Sequence, residues 1–198
     1  MHQLDDIIKL LDSGEHISNM PPIQSWHPHN RGKIDISINS QGKWFHEGEV
    51  FKRDKLVKLF ASILRFEHNA YYLVTPVEQL EIQVADVPFI AELLISSPEE
   101  SVADESKEAR QVFQLVTQCD DIIILNKNSQ WELREYQGEL VPYVLVRHEL
   151  WARLARHVFY QLIDIAATDL PENVNSSEAS SMELTFDSAG VTFTLGQY

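Results

Sequence analysis

The chain has 198 residues, 44% of them hydrophobic, enough to build a core for one large domain or two small ones. A formal net charge of −14 repels phosphate backbones and excludes non-specific nucleic-acid binding. No apolar run reaches the ~18 residues of a membrane span, and the single Cys119 has no internal disulfide partner.

In chain order, Leu4, Ile7, Ile8 and Leu11 form one stripe of a short amphipathic helix over 4–13. A proline-containing loop follows to Gly32, with Trp26 as its expected anchor. Ile34, Ile36 and Ile38 alternate with polar residues as a half-buried strand, Gly42 supplies the turn, and KWFHEGEV returns. Leu56, Leu59, Phe60, Ile63 and Leu64 share a helical face. Strands are expected over AYYLVTP and VEQLEIQVAD, and Pro88 restarts the chain into FIAELLIS. Residues 97–109 read as an exposed acidic tip or linker. QVFQLVT, DDIIILN, QWELREY and VPYVLV read as four more strands, with Pro142 at an edge or bulge. Residues 147–166 read as a long helix with Leu150, Leu154, Val158 and Leu162 on its core face. Residues 168–181 are a Ser/Asn-rich linker, and a hairpin about 187–190 ends the chain. The N-terminus lacks the basic region and cleavage site of a signal peptide, so the expected location is the cytoplasm.

INSQGKW (38–44) and LNKNSQW (125–131) suggest a repeat. Aligning Asn39 with Asn126 sets Trp44 on Trp131. Arg53-x-x-Leu56 then corresponds to Arg147-x-x-Leu150, each at an expected helix start. On this reading two similar lobes enclose a crevice, a favoured place for a ligand. Arg53 and Arg147 would offer guanidinium forks to an anion beside helix N-termini. Alternatively, Asp54 and Glu149 offset those charges locally. Residues 26–75 support an anion site weakly, with 8 Lys/Arg against 5 Asp/Glu, whereas residues 76–121 hold 2 against 11.

YYLVTPVE is the richest candidate stretch. Tyr72 lies on a strand, Thr75 precedes Pro76 and so is held extended, and Glu78 and Asp86 flank the next strand as acceptors for a ribose or an amine. The plainer alternative makes Thr75-Pro76 a simple turn. Tyr143 and Arg147 would supply the facing wall. Arg153 and Arg156 lie one to two turns further along the expected helix, with Arg153 able instead to pair with Glu149. Trp44 and Trp131 read as core anchors, or as base-stacking platforms if a face is open. His27, His29 and His46 make a weak metal set, and none is assigned. The chain has no P-loop, G-x-G-x-x-G or G-x-S-x-G, and its 7 glycines make a backbone phosphate cradle hard to build.

GKIDISI with GKWFHEG, RDKLVKLF, YYLVTPVEQLEIQVADVPF and PYVLVRHELWARLARHVFYQL together resemble the bacterial family called domain of unknown function 1285, over about residues 25–165. The resemblance implies two similar α+β subdomains, the second like a pleckstrin-homology barrel. It also implies a nucleotide-type ligand at their interface and a role in signal transduction, and it brings no catalytic residues. The expected organisation is an N-terminal helix and loop (1–24), a first subdomain (25–98), a second (99–167), and a linker with a hairpin (168–198). The expected function is non-catalytic and regulatory. A small anionic ligand would be held by Arg53, Tyr72, Thr75, Glu78, Asp86, Tyr143, Arg147 and Arg153, without a metal or cofactor, and a signalling protein would be the partner. The alternatives are an interaction scaffold without a ligand or, less favoured, a hydrolase.

Overall fold

The computed structural model describes residues 20–98, 110–168 and 183–197. The expected helix over 4–13, the acidic segment beyond Pro98 and the linker beyond Thr168 lie outside these. The chain divides into two compact units, 1–88 and 89–198.

In the first unit, six strands form one sheet in the order β3-β2-β1-β6-β5-β4. They are β1 (Asn30–Ile38), β2 (Trp44–His46), β3 (Glu49–Val50), β4 (Leu64–Glu67), β5 (Ala70–Val74) and β6 (Glu78–Val84). The central pair, β1 and β6, is parallel, and the other pairs are antiparallel. Alternation in β1 buries Ile36 and Ile38, and in β6 it buries Leu80 and Ile82. Helix α1 (Asp54–Ser62) connects β3 to β4. Its Phe60 is fully buried, 6.3 Å from the Trp44 ring and 5.6 Å from that of Phe51. The helix stops at Ser62, so Ile63 fills the core from the C-cap and Leu64 from the start of β4 rather than from a helical face.

The second unit carries β7 (Phe89–Pro98), β8 (Gln111–Thr117), β9 (Ile122–Ile124), β10 (Trp131–Tyr136), β11 (Glu139–Arg147) and β12 (Leu150–Leu154), in the order β10-β11-β12-β7-β8-β9. The central pair, β12 and β7, is again parallel. Counted from one edge, both sheets run third, second, first, sixth, fifth, fourth strand of their unit. The duplication is therefore present, but not in the register that the Asn–Trp motifs suggest. Asn39 joins the first strand to the second, whereas Asn126 joins the third to the fourth. Both are local side-chain turns. The Asn39 carboxamide oxygen accepts the N–H groups of Gln41 and Lys43 at 2.9 Å, and that of Asn126 accepts the Asn128 N–H at 2.9 Å.

Residues 147–154 correct the helical reading. Leu150, Ala152 and Leu154 alternate inward on β12, and helix α2 spans only Arg156–Thr168. Arg147 thus ends a strand, at a turn where His148 has φ 47°, and is not the equivalent of Arg53 before α1. Residues 89–98, grouped in the sequence reading with the first subdomain, hydrogen-bond into the second sheet. Pro142 sits one residue before the β11–β12 pairing begins, so its missing N–H falls where β11 is locally an edge.

The terminal hairpin, β13 (Glu183–Ser188) and β14 (Val191–Gln197), turns through Ala189 and Gly190, both at positive φ, as a two-residue turn requires. It belongs to the second unit. The buried Ser188 hydroxyl donates to the Leu125 carbonyl (2.7 Å) and accepts the Phe113 N–H (2.9 Å). The Trp131 indole donates to the Thr194 carbonyl at 2.7 Å, and its ring meets Phe186 and Phe193 edge-on. Both repeated tryptophans thus serve packing, Trp44 deep in its core and Trp131 as the clamp of the hairpin. Among the described residues strands outweigh helices, so this part of the chain is more β than evenly α+β.

Candidate functional site

A cavity of about 200 Å³ opens in the second unit, where the β10–β11 hairpin, β12 and the first turn of α2 converge. Gln137 (φ 53°) and Gly138 (φ 85°) close the hairpin as a two-residue turn, which sets Tyr136 opposite Glu139. Val141, Leu154 and Phe159 supply apolar lining, and Arg153 and Arg156 supply positive charge. The Arg153 guanidinium lies 3.9 Å from the centre of the Tyr136 ring, a stacked cation–π contact. Arg156 donates from Nε (3.1 Å) and Nη2 (2.9 Å) to the hydroxyl of Tyr160, one helical turn on. That hydrogen bond, then the proximity of Tyr160 and Glu139, raises the Arg156 pKa above its ordinary value.

The lining therefore combines two guanidiniums, one carboxylate and two phenols over an apolar floor. It contains no Ser, Cys, Lys or His. Its volume is below the ~300–1,000 Å³ of drug-sized pockets. Among the described residues no group of three or more His, Cys, Asp or Glu side chains is placed to hold a metal ion.

Of the residues expected at the site, Arg153 lines this cavity. Tyr143 is buried in the sheet with the Arg134 guanidinium 5.0 Å from its ring. Arg147 is largely buried. It pairs with Asp121, and its guanidinium lies 4.8 Å from the Phe89 ring, which ties β11 to the β8–β9 connection and to β7. The remaining five lie in the first unit. Arg53 is the exposed N-cap residue of α1. Tyr72 is half-buried on β5, between Arg65 and Glu81 in register. Thr75 is buried, against the expectation of an offered hydroxyl. Its hydroxyl accepts the Glu78 N–H (3.1 Å) and donates to the Glu78 carbonyl (3.3 Å), closing a turn. Glu78 opens β6, and Asp86 follows it, both half-buried.

The sequence does not single out Tyr136, Glu139 or Tyr160, and it gives Arg156 a place on the expected helix but no role. Two local signals pointed to them. Gln-Gly between alternating strands marks a tight hairpin that presents its flanking residues, and Arg-x-x-x-Tyr on a helix places both side chains on one face. A fourth residue that the sequence does not single out is Arg65 on β4.

A crystal structure of a DUF1285 family protein from Silicibacter pomeroyi DSS-3 matches with a TM-score of 0.75 and 28% identity, covering 96% of this chain and 94% of that one. A second DUF1285 family protein, from Shewanella baltica OS155, is 26% identical over 65% of this chain and 90% of its own, with a TM-score of 0.49. No curated protein is similar to the chain. "Domain of unknown function (DUF1285), N-terminal domain" matches residues 21–87, and the C-terminal domain of the same family matches residues 100–195. The chain belongs to the DUF1285 family.

Proposed function

We propose that the protein is a non-catalytic regulatory protein of the cytoplasm that binds a small anionic ligand of nucleotide type, with a role in signal transduction through a protein partner. We assign the anion to the cavity of the second unit. The observation that carries this reading is the convergence of Arg153 from a strand and Arg156 from a helix on one hollow, in a chain whose net charge is −14. Tyrosine contacts hold both guanidiniums, so less side-chain entropy is lost when an anion docks. Glu139 opposes a bare anion but accepts hydrogen bonds from hydroxyls, and a sugar phosphate presents both kinds of group. Regulation requires only that the ligand prefer one conformation over another. We also read the second unit as pleckstrin-homology-like. Its six strands followed by a helix support this, and its parallel central pair is a departure from a simple meander.

A thermal-shift screen against nucleotides and phosphorylated metabolites tests the reading. A ligand at 100 times its dissociation constant adds ~2.7 kcal/mol, worth roughly 5–11 °C at ~2–4 °C per kcal/mol. Arg153→Ala and Arg156→Ala are each expected to weaken a hit about ten- to a hundredfold, the loss of a charge-assisted hydrogen bond. A hit that both variants bind as the wild type does rejects the cavity. No hit at all selects the second reading, an interaction scaffold, which the exposed apolar side chains of β7 and β9 favour.

A further inference from the structure

Among the described residues, the two six-stranded sheets end in β3, β4, β9 and β10. Edge strands of soluble proteins are blunted by charges, because their unpaired backbone groups invite another strand. β3 carries Glu49, β4 carries Arg65 and Glu67, and β10 carries Glu132, Arg134 and Glu135. β9 is Ile122-Ile123-Ile124, without a charge. Ile123 faces the core, whereas Ile122 is 65% and Ile124 48% exposed. Register extends this surface inward across the sheet. Ile122 neighbours Val116 and then Leu93, and Ile124 neighbours Gln114 and then Ile95. Leu93 is 52% and Ile95 41% exposed, so the outer face of β7-β8-β9 is uncharged along both rows and apolar except at Gln114.

The backbone has the same polarity. The Leu125 N–H donates to the Phe113 carbonyl, and the Asp121 carbonyl accepts the Thr117 N–H, so the odd-numbered residues face β8. Ile122 and Ile124 therefore turn their N–H and C=O groups toward the open edge. The Ile124 carbonyl accepts the Ser129 hydroxyl at 2.9 Å and keeps a second lone pair.

We propose that β9 pairs with β9 of a second copy of this chain, antiparallel and about a two-fold axis at Ile123, joining two six-stranded sheets edge to edge. In this register Ile122 of one copy and Ile124 of the other form a hydrogen-bonded pair on each side of the axis, with Cα atoms about 5.5 Å apart. The exposed isoleucines then meet across the junction on one face and continue both rows. Charge selects both occupant and direction. The strand runs from Asp120 at one end to Lys127 beyond the other. Antiparallel pairing brings the acidic end of each copy toward the lysine end of the other, whereas parallel pairing stacks acid on acid. A segment complementary to itself in this way gives a closed, isologous dimer. Since each chain carries −14, the uncharged patch is where two copies approach at least cost. A three-residue strand makes a small contact, in the weak class below ~1,200 Å², so association is expected only at high protein concentration.

Sedimentation equilibrium of the full chain across a concentration series tests the proposal. The average mass is expected to rise toward twice that of the monomer, and Ile122→Lys and Ile124→Lys are each expected to hold it at the monomer value with an unchanged melting temperature. In a Cys119→Ser background, mixing Ile122→Cys with Ile124→Cys protein is expected to give far more disulfide-linked dimer than either alone. A wild-type chain that stays monomeric at the highest soluble concentration overturns the proposal, as does a dimer that both lysine variants still form. Efficient cross-linking of Ile122→Cys by itself overturns the antiparallel register.

Discussion

Replacing Arg65 by alanine should loosen the first unit through a segment some forty residues away. The Arg65 side chain is only 9% exposed. Its Nη1 donates to the carbonyls of Ile23 (3.2 Å) and Trp26 (3.0 Å), and its Nη2 donates to the Gln79 side-chain oxygen at 3.0 Å. Nη2 also lies 3.3 Å from a Glu67 carboxylate oxygen, on a side chain that is 35% exposed. The substitution strands two backbone carbonyls and one amide oxygen, at about 1–3 kcal/mol for each that water fails to reach. Three terms reduce the sum. The desolvation cost of the guanidinium disappears with it, Glu67 is solvated enough to stay charged alone, and Arg65 Nε has no partner among the described residues. A net loss of about 2–4 kcal/mol is expected. Hydrogen-exchange mass spectrometry under native conditions, with urea unfolding as a check, reads the loss unit by unit. Protection should fall most over residues 20–29 and β4, and peptides of the second unit should be unchanged. Arg65→Met, which keeps the apolar stem, should recover less than half the loss. A change below about 0.5 kcal/mol, the size of an ordinary surface substitution, with normal protection over 20–29 would refute the idea that this cation holds the N-terminal segment on the sheet.

Ser188→Ala should destabilise the second unit by about 1–3 kcal/mol, because the Leu125 carbonyl and Phe113 N–H lose the hydroxyl that bridges them in a buried site. Chemical denaturation of the purified variant checks this. Gly48→Ala isolates a backbone cost. An added Cβ meets nothing within 4 Å, yet φ is +80°, so about 1–2 kcal/mol of left-handed strain is expected in the same assay.

Much of the sheet was legible because half-buried strands write their burial into period two. Ile34, Ile36 and Ile38 in β1 and Leu80, Ile82 and Val84 in β6 are cases, as is the hairpin ending in Ala189-Gly190. Misreadings came where one spacing satisfies two structures. Leu150, Leu154, Val158 and Leu162 lie four apart, which fits a helical stripe. The first two also fit alternation with Ala152, and the turn at His148 that decides the matter uses a positive φ no glycine announces. The Asn–Trp motif misled for a related reason. An Asn-centred turn before an aromatic strand start is a general solution to hairpin geometry, so it recurred at non-equivalent hairpins. The cavity was only partly legible. Arg153 was singled out as a helical residue, but its partner Tyr136 comes from a strand that approaches only through the tight β10–β11 turn.

The true register of the duplication gives a sharper test than the motif did. Each unit closes its fourth and fifth strands through a two-residue turn with both φ angles positive, His68-Asn69 in the first and Gln137-Gly138 in the second. Counting back from those turns, Glu67 corresponds to Tyr136 and Arg65 to Arg134. The same arginine position has two fates. Arg65 is covered by the 20–28 segment and supplies its hydrogen bonds. Arg134 remains 34% exposed, pairs with a more exposed Glu132, and lies 4.0 Å from the Trp151 ring centre. A partly solvated cation–π contact contributes about 0.5–1 kcal/mol, and an exposed ion pair little more. Arg134→Ala is therefore expected to cost about 1 kcal/mol or less, well under half the effect of Arg65→Ala, in parallel urea titrations. Equal losses would mean that burial under the N-terminal segment is not what distinguishes the two sites. In the first unit the positions beside the turn are filled by the Arg65–Glu67–Gln79 network, whereas in the second they stay open beneath α2, with Arg153 and Arg156 on the rim.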